Sequence, residues 1–345
     1  MTTSDVVGSP TASQPAPPPP PGQRPAWVEP DDGSSGLAHG GGDQGDRVFR
    51  ALTAAASVFV LLIMAALAAF LVYRAVPALA ANTANFATEQ RWSPDADQPR
   101  FGVAAALYFT LLTSMIAVVL AVPVAVGVAL FITYLAPRRV SEGMGYLVEL
   151  LAAVPSIVYG LWGFTVLAPN LAGLVSWLDR WFGWTIVLRY RPDNEPNSYS
   201  PLAAGIVLAI MILPIISSLS REVFRRVPRE QVEAALGLGA TRWEMIWMTV
   251  LPVGRAGVTS ASLLGLGRAL AETLAVTMVL STAYNLTVHI TESGGVTLAS
   301  IIVLKYGEAG EVGTGALVAA GLCLFVITLA VNFVARMILA RQKVG

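Results

Sequence analysis

Long apolar runs separated by shorter polar ones dominate the chain from residue 51 onward. A helix needs about 20 apolar residues to cross about 30 Å of hydrocarbon. Six stretches meet that length: 51–73, 101–136, 146–168, 201–220, 258–280 and 315–335. The second is long for one crossing: Pro123 and Gly127 kink it, or it tilts past the membrane, or it divides into two short helices with no polar turn between them. The run "VTLASIIVL" (296–304) is too short to span and reads as a surface or re-entrant helix. The pattern therefore predicts an all-α, polytopic transmembrane bundle of six spans.

Composition sharpens this. Only 13% of the 345 residues are charged and 55% are hydrophobic. A soluble domain carries roughly 25% charged residues, so lipid is the solvent for much of the chain. Zero net charge gives no sign of nucleic-acid binding, and the single cysteine, Cys323, lies in an apolar run where packing is its role. His39 and His289 have no neighbours of ligand type, so no metal is expected. Residues 1–46 are rich in Pro, Gly, Ser and Asp, with five prolines at 17–21. Such a segment buries too little apolar surface to offset the entropy of ordering. It reads as a disordered cytoplasmic tail with a polyproline II patch, ahead of a permease domain at 47–345. No apolar core follows the first residues, so the segment does not read as a signal peptide.

Lys and Arg set the orientation, because cytoplasmic flanks carry an excess of both. With the N-terminus inside, the inner flanks hold thirteen and the outer loops seven, although the outer loops are longer. Six crossings with both termini cytoplasmic is the consistent solution. The stretch "LVSWLDRWFGW" (174–184) then lies outside, and its three tryptophans suit the membrane–water interface.

The longest inner loop is 221–257. It reads either as a solvated helix–turn–helix or as a docking element. Pro228 suits a first helical turn, 229–236 has helical composition, and Gly237 and Gly239 break the helix. A second amphipathic segment, "TRWEMIWMTVLP", ends at Pro252. A short helix with a small-residue face can seat in a partner's groove. The string "EAALGLGATRWEMIWMTVLP" resembles the cytoplasmic-loop signature of bacterial ABC importer permeases. Glu233, Ala234, Ala235, Gly239, Leu251 and Pro252 stand at the family's spacings, and Thr249 replaces an isoleucine. The resemblance implies a MetI-like architecture in which residues 228–245 couple the spans to an ATPase. The phosphate-cradling pattern G-x-x-x-x-G-K-[ST] is missing: the two lysines, Lys305 and Lys343, do not follow a glycine. The chain is thus not expected to be an enzyme on its own. No cofactor is expected in it, with ATP and Mg on a separate subunit.

The string "GLGRALAETLAV" (265–276) places Arg268 and Glu272 within the fifth apolar run. A charge at the bilayer centre costs from ~3 to over 10 kcal/mol, so such groups face a bundle interior or a wet pathway. On one continuous helix the two lie on one face, about 6 Å apart along the axis, and can pair. The pair is either a salt bridge that joins helices or an anion site. A guanidinium holds a tetrahedral oxyanion through fixed N–H donors. A carboxylate beside it can accept a hydrogen bond from a protonated oxyanion, which favours phosphate over sulfate.

The same string resembles the fifth-span motif of phosphate ABC-transporter permeases, the PstC and PstA type, and "AAVPSIVYGLWG" (152–163) resembles a second motif of that family. The resemblance covers about 50–340 and is closer to PstC. It implies that Arg268 and Glu272 act in phosphate passage. The second motif is either a proline-kinked packing helix or a pathway wall in which Pro155 frees backbone groups and Ser156 and Tyr159 offer hydroxyls. The implied partners are a second homologous permease, two ATPase subunits and an extracytoplasmic phosphate-binding protein. Alternatives are a permease for sulfate or molybdate, an ion-coupled carrier not driven by ATP, and a membrane scaffold. Glu149 reads as a snorkelling residue and Asn332 as an interhelical hydrogen-bond donor.

Overall fold

The computed structural model describes residues 42–185, 187–188 and 199–342. The proline run at 17–21, His39 and residues 1–41 of the expected tail lie outside the described residues. Residues 42–46, assigned to that tail, are helical. The chain divides into two compact units, Met1–Met64 and Ala65–Gly345. Within the first unit, side chains from Val48 to Met64 are exposed, as suits a lipid-facing stretch.

The elements run α1 (Gly42–Ala81), β1 (Trp92–Ser93), β2 (Arg100–Phe101), α2 (Ala104–Leu130), α3 (Arg138–Ala152), α4 (Ser156–Trp162), α5 (Ala168–Asn170), α6 (Ala172–Phe182), α7 (Pro201–Arg225), α8 (Arg229–Gly237), α9 (Arg242–Met245), α10 (Leu251–Leu270), α11 (Leu274–Val279), α12 (Leu298–Tyr306) and α13 (Glu311–Gln342). Among the described residues, the only sheet is the antiparallel β1–β2 pair.

The helical bundle agrees with the sequence pattern, while length and composition alone pick out fewer than six spans. Four helices are long and apolar enough to cross a membrane, ending in α1, α2, α7 and α13, and a fifth arises if α3 and α4–α5 count together. That pair is bent by 91°, so the predicted third span is not one straight helix. The predicted fifth span, 258–280, breaks between α10 and α11 at Ala271–Thr273. The long second run is one helix that continues through Pro123 to Leu135.

Proline accounts for three local widenings. Phe131–Leu135, Gly163–Leu167 and Ile246–Val250 are π-turns, each followed two residues later by Pro137, Pro169 or Pro252. In each, the residue before the proline donates its N–H to the carbonyl five residues back: Ala136 to Phe131, Ala168 to Gly163, Leu251 to Ile246. Proline has no N–H and crowds the carbonyl four residues earlier, and a wider turn relieves that crowding. The helix ends at Leu135, two residues before Pro137, which caps the start of α3, whereas through Pro169 and Pro252 it continues. Pro252 therefore does not close the second cytoplasmic segment, as its sequence suggested.

The core forms around α7, which is two-thirds buried along its apolar window. Ala117, Ala121, Ala125 and Ala129 of α2 are almost fully buried at every fourth position. Gly205 of α7 sits so close to Ile116 that a Cβ there would run into its methyl. Lipid offers no hydrophobic drive to join helices, so close packing through small residues holds them. The first half of α12 is buried too, capped by Thr297, and the Leu298 N–H donates to Thr110 Oγ1 at 2.9 Å. It is therefore not a surface helix. Cys323 packs beside the cluster of Val103, Ala106, Leu298 and Ile301.

Candidate functional site

Arg268 occupies the last turn of α10, and Glu272 lies beyond the helix end. The helix stops at Leu270, so the expected shared face is lost and the two charges form no salt bridge. Glu272, 8% exposed, turns its Oε1 to accept the Ala275 N–H at 3.2 Å. It thereby satisfies one of the N–H groups that the start of α11 leaves without a helical partner. Arg268 is exposed at the edge of the chain.

Both nonetheless face one cavity of about 540 Å³, lined also by Ile215, Leu263, Leu264, Gly267, Ala271, Thr328 and Asn332. Ile215 and Thr328 stand near the middle of α7 and α13, so the cavity is far from the ends of both helices. Asn332, expected to bond another helix, makes no hydrogen bond among the described residues. Thr328 was not singled out by its sequence context. A signal was there: Thr328 and Asn332 are the only polar side chains besides Cys323 between 316 and 335, and they are four residues apart.

The second motif lies outside that cavity and shapes its neighbour. Pro155 precedes α4 at φ −59° and ψ 138°, where the ring cannot extend α3. The buried Tyr159 hydroxyl donates to the Leu151 carbonyl at 2.8 Å, across the bend. Ser156 is half-buried at the start of α4. Gly160 then lies against α11: a Cβ on it would stand 2.7 Å from Ala275 Cα. Gly163 is equally tight against Val207 and Val279. Gly160 and Gly163 thus bring this motif against α11, the segment that follows Glu272.

At the end of the bundle reached by the C-terminus of α7, α8 runs Arg229–Gly237 with no fully buried residue. Glu233 and Ala234 are exposed, while Ala235 packs beside Phe224, Ile246 and Val250. Gly239 adopts φ +91°, and the Gly239 and Ala240 N–H groups donate to Leu236 and Ala235. This is the Schellman termination, which favours glycine in the left-handed region. A capping box of Thr241 and Glu244 starts α9. The Glu244 carboxyl is held below its ordinary value, first by the Thr241 N–H and then by the Thr241 hydroxyl. Leu238, Trp243, Trp247 and Met248 remain exposed, so this end offers an apolar, unpartnered surface. Leu251 packs on the same inner cluster, and Pro252 lies in the first turn of α10.

Two further ion pairs fix the ends of the bundle. Arg221 of α7 donates to Glu149 of α3 at 2.6 Å, so Glu149 has a partner rather than only a path to solvent. Ahead of α2, Arg100 of β2 donates to Glu89 at 2.6 Å. The Arg91 N–H, then the Arg100 guanidinium, hold the Glu89 carboxyl below its ordinary value. Asp95 accepts the Gly310 and Gly313 N–H groups at 3.0 and 2.8 Å and so caps α13.

Long apolar helices around a small-residue core, a cavity lined by a guanidinium midway along α7 and α13, and the exposed helix α8 are the parts of a membrane translocation subunit. The family model "binding-protein-dependent transport system inner membrane component" matches residues 100–344, and the chain belongs to that family. It is 48% identical over 297 residues to the "Phosphate transport system permease protein PstC 2" of Mycobacterium tuberculosis, covering 86% of this chain and 92% of the relative. It is 38% identical to PstC of Xylella fastidiosa, covering 86% and 91%. A solved bacterial ABC transporter that imports the polysaccharide alginate has the same fold, with TM-score 0.54 at 18% identity over 86% of this chain and 97% of that one. The MetNI methionine ABC transporter gives TM-score 0.51 at 14% identity, covering 69% and 94%. The chain is thus a multi-pass inner-membrane permease that works with a substrate-binding protein and a separate ATPase subunit.

Proposed function

We propose that this chain is a PstC-type permease subunit of an ATP-driven importer of inorganic phosphate. Arg268 is the observation that carries the reading. It is exposed at the chain's edge and lines a cavity that also receives Glu272. A guanidinium facing lipid would cost several kcal/mol, so a second, homologous permease covers that edge and the anion path runs between the two. Glu272 spends one carboxylate oxygen on the Ala275 N–H. The other remains to accept a hydrogen bond from a protonated oxyanion, and sulfate has no such proton at neutral pH. Pro155, Ser156 and Tyr159 act on the path through α11 rather than by touching the anion.

Two ATPase subunits dock on the exposed surface around α8. ATP and Mg belong to them, and this chain holds no cofactor of its own. Glu233, Ala234, Ala235 and Gly239 form the docked helix and its end, while Leu251 and Pro252 join that helix to α10. Alternating access follows when the docked helix moves with the ATPase. Both termini are cytoplasmic, six crossings are completed by α10, and the tail and the permease domain meet near residue 46. The test is co-purification of the whole assembly followed by labelled-phosphate uptake in vesicles. Arg268→Gln should leave assembly intact and abolish uptake; normal uptake by that variant removes the reading. Excess sulfate should not compete with labelled phosphate, and strong competition would assign a broader oxyanion permease.

A further inference from the structure

We infer that Asn332, with Thr328 one turn before it, forms a neutral second wall of the oxyanion site, opposite Arg268. The inference rests on the anion path proposed above. The apolar stretch 316–335 of α13 contains two polar side chains besides Cys323, and both line the cavity that holds Arg268 and Glu272. Their chemistry divides into complementary halves. Asn332 carries two N–H donors and has no hydrogen-bond partner among the described residues. The Thr328 hydroxyl donates to the Phe325 carbonyl at 2.9 Å, so only its lone pairs face outward. Glu272 likewise retains one free acceptor oxygen after bonding the Ala275 N–H.

The cavity thus presents two donors, Arg268 and Asn332, and two acceptors, Glu272 and Thr328. A fully deprotonated tetrahedral anion can use only the donors. A monoprotonated one uses both sets, because its hydroxyl needs an acceptor. An unpaired amide at membrane depth costs free energy when it faces hydrocarbon, and a passing anion removes that cost without binding as tightly as a second guanidinium would. Asn332 is therefore an anion-binding donor, and Thr328 an acceptor that supports Glu272 in selecting the protonated anion.

The test uses the complete transporter in proteoliposomes with saturating binding protein and labelled phosphate. Asn332→Leu keeps the volume and removes the donors. It should co-purify with its partners as wild type does and lower maximal uptake at least about tenfold. Asn332→Asp, which puts a carboxylate where the anion should find a donor, should lose more uptake than Asn332→Leu at about pH 7.5. Unchanged uptake by Asn332→Leu overturns the inference. So does a loss that tracks failure to co-purify the second permease, which would make Asn332 an interhelical bond. Arg268→Gln run alongside separates the two readings: if it is inactive while Asn332→Leu is normal, only the role of α13 fails, and if it is active the anion path itself fails.

Discussion

Gly160 of α4 and Ala275 of α11 meet backbone to backbone, so that a Cβ at 160 would lie 2.7 Å from Ala275 Cα. This contact joins the two sequence motifs. One supplies a bent helix with a bare glycine, and the other supplies the segment that begins beside Glu272. Gly160→Ala must push α4 from α11, because the obstructing atom is backbone and cannot rotate away. Overpacking of this kind costs roughly 1–3 kcal/mol. The variant should unfold at lower temperature in detergent and transport more slowly. A thermal midpoint and uptake rate equal to wild type would show that the contact is looser.

The Arg221–Glu149 pair joins α7 to α3, with side chains 14% and 59% exposed. Gly145 makes room for it, since a Cβ there would run into the Arg221 guanidinium. One partner is open to solvent, so the pair contributes at most about 1 kcal/mol. Glu149→Arg and Arg221→Glu should each lower the midpoint of thermal unfolding, and the double reversal should restore much of it. A double variant as poor as the sum of the singles would show that the pair does not couple α3 to α7.

Glu233 is exposed on α8 and its side chain makes no hydrogen bond or ion pair among the described residues. Glu233→Lys should leave the thermal midpoint within about 0.5 kcal/mol of wild type, while it weakens ATPase co-purification or separates ATP hydrolysis from uptake. Unaltered co-purification and unaltered coupling would remove α8 from the docking surface.

The Thr241–Glu244 capping box starts the helical run that leads into α10. Glu244 ionises more readily here than its ordinary value of 4.5, chiefly because it accepts the Thr241 N–H. A depressed carboxyl stabilises the fold above its unfolded value, and that contribution disappears as pH falls through the lower, folded value. Protection of the amides at 241–245, measured against their intrinsic exchange rates, should therefore be high at neutral pH and fall below 4.5. Thr241→Ala should produce the same fraying at neutral pH, at a cost of about 1 kcal/mol. Protection that ignores both pH and Thr241→Ala would show that packing alone holds this turn.

The sequence by itself determined the solvent, the class and the short helix α8 with its glycine end. Apolar runs near 20 residues are a length requirement of the bilayer, and the glycine after α8 is a backbone requirement of the left-handed turn. Both are local, so they can be read without knowing the neighbours. Tertiary structure decided where the helices break and what the charged residues meet. The sequence spaces Arg268 and Glu272 as one helical turn, yet the chain leaves the helix at Ala271 and Glu272 caps α11 instead. The run around Pro155 looks continuous in hydropathy, yet it bends by 91° and Tyr159 ties the bend. Thr328 and Asn332 join the site from a helix some sixty residues away. Hydropathy reports how much surface prefers lipid and is nearly blind to direction. Only the packing of α7, α10 and α13 fixes which polar atoms point into one cavity.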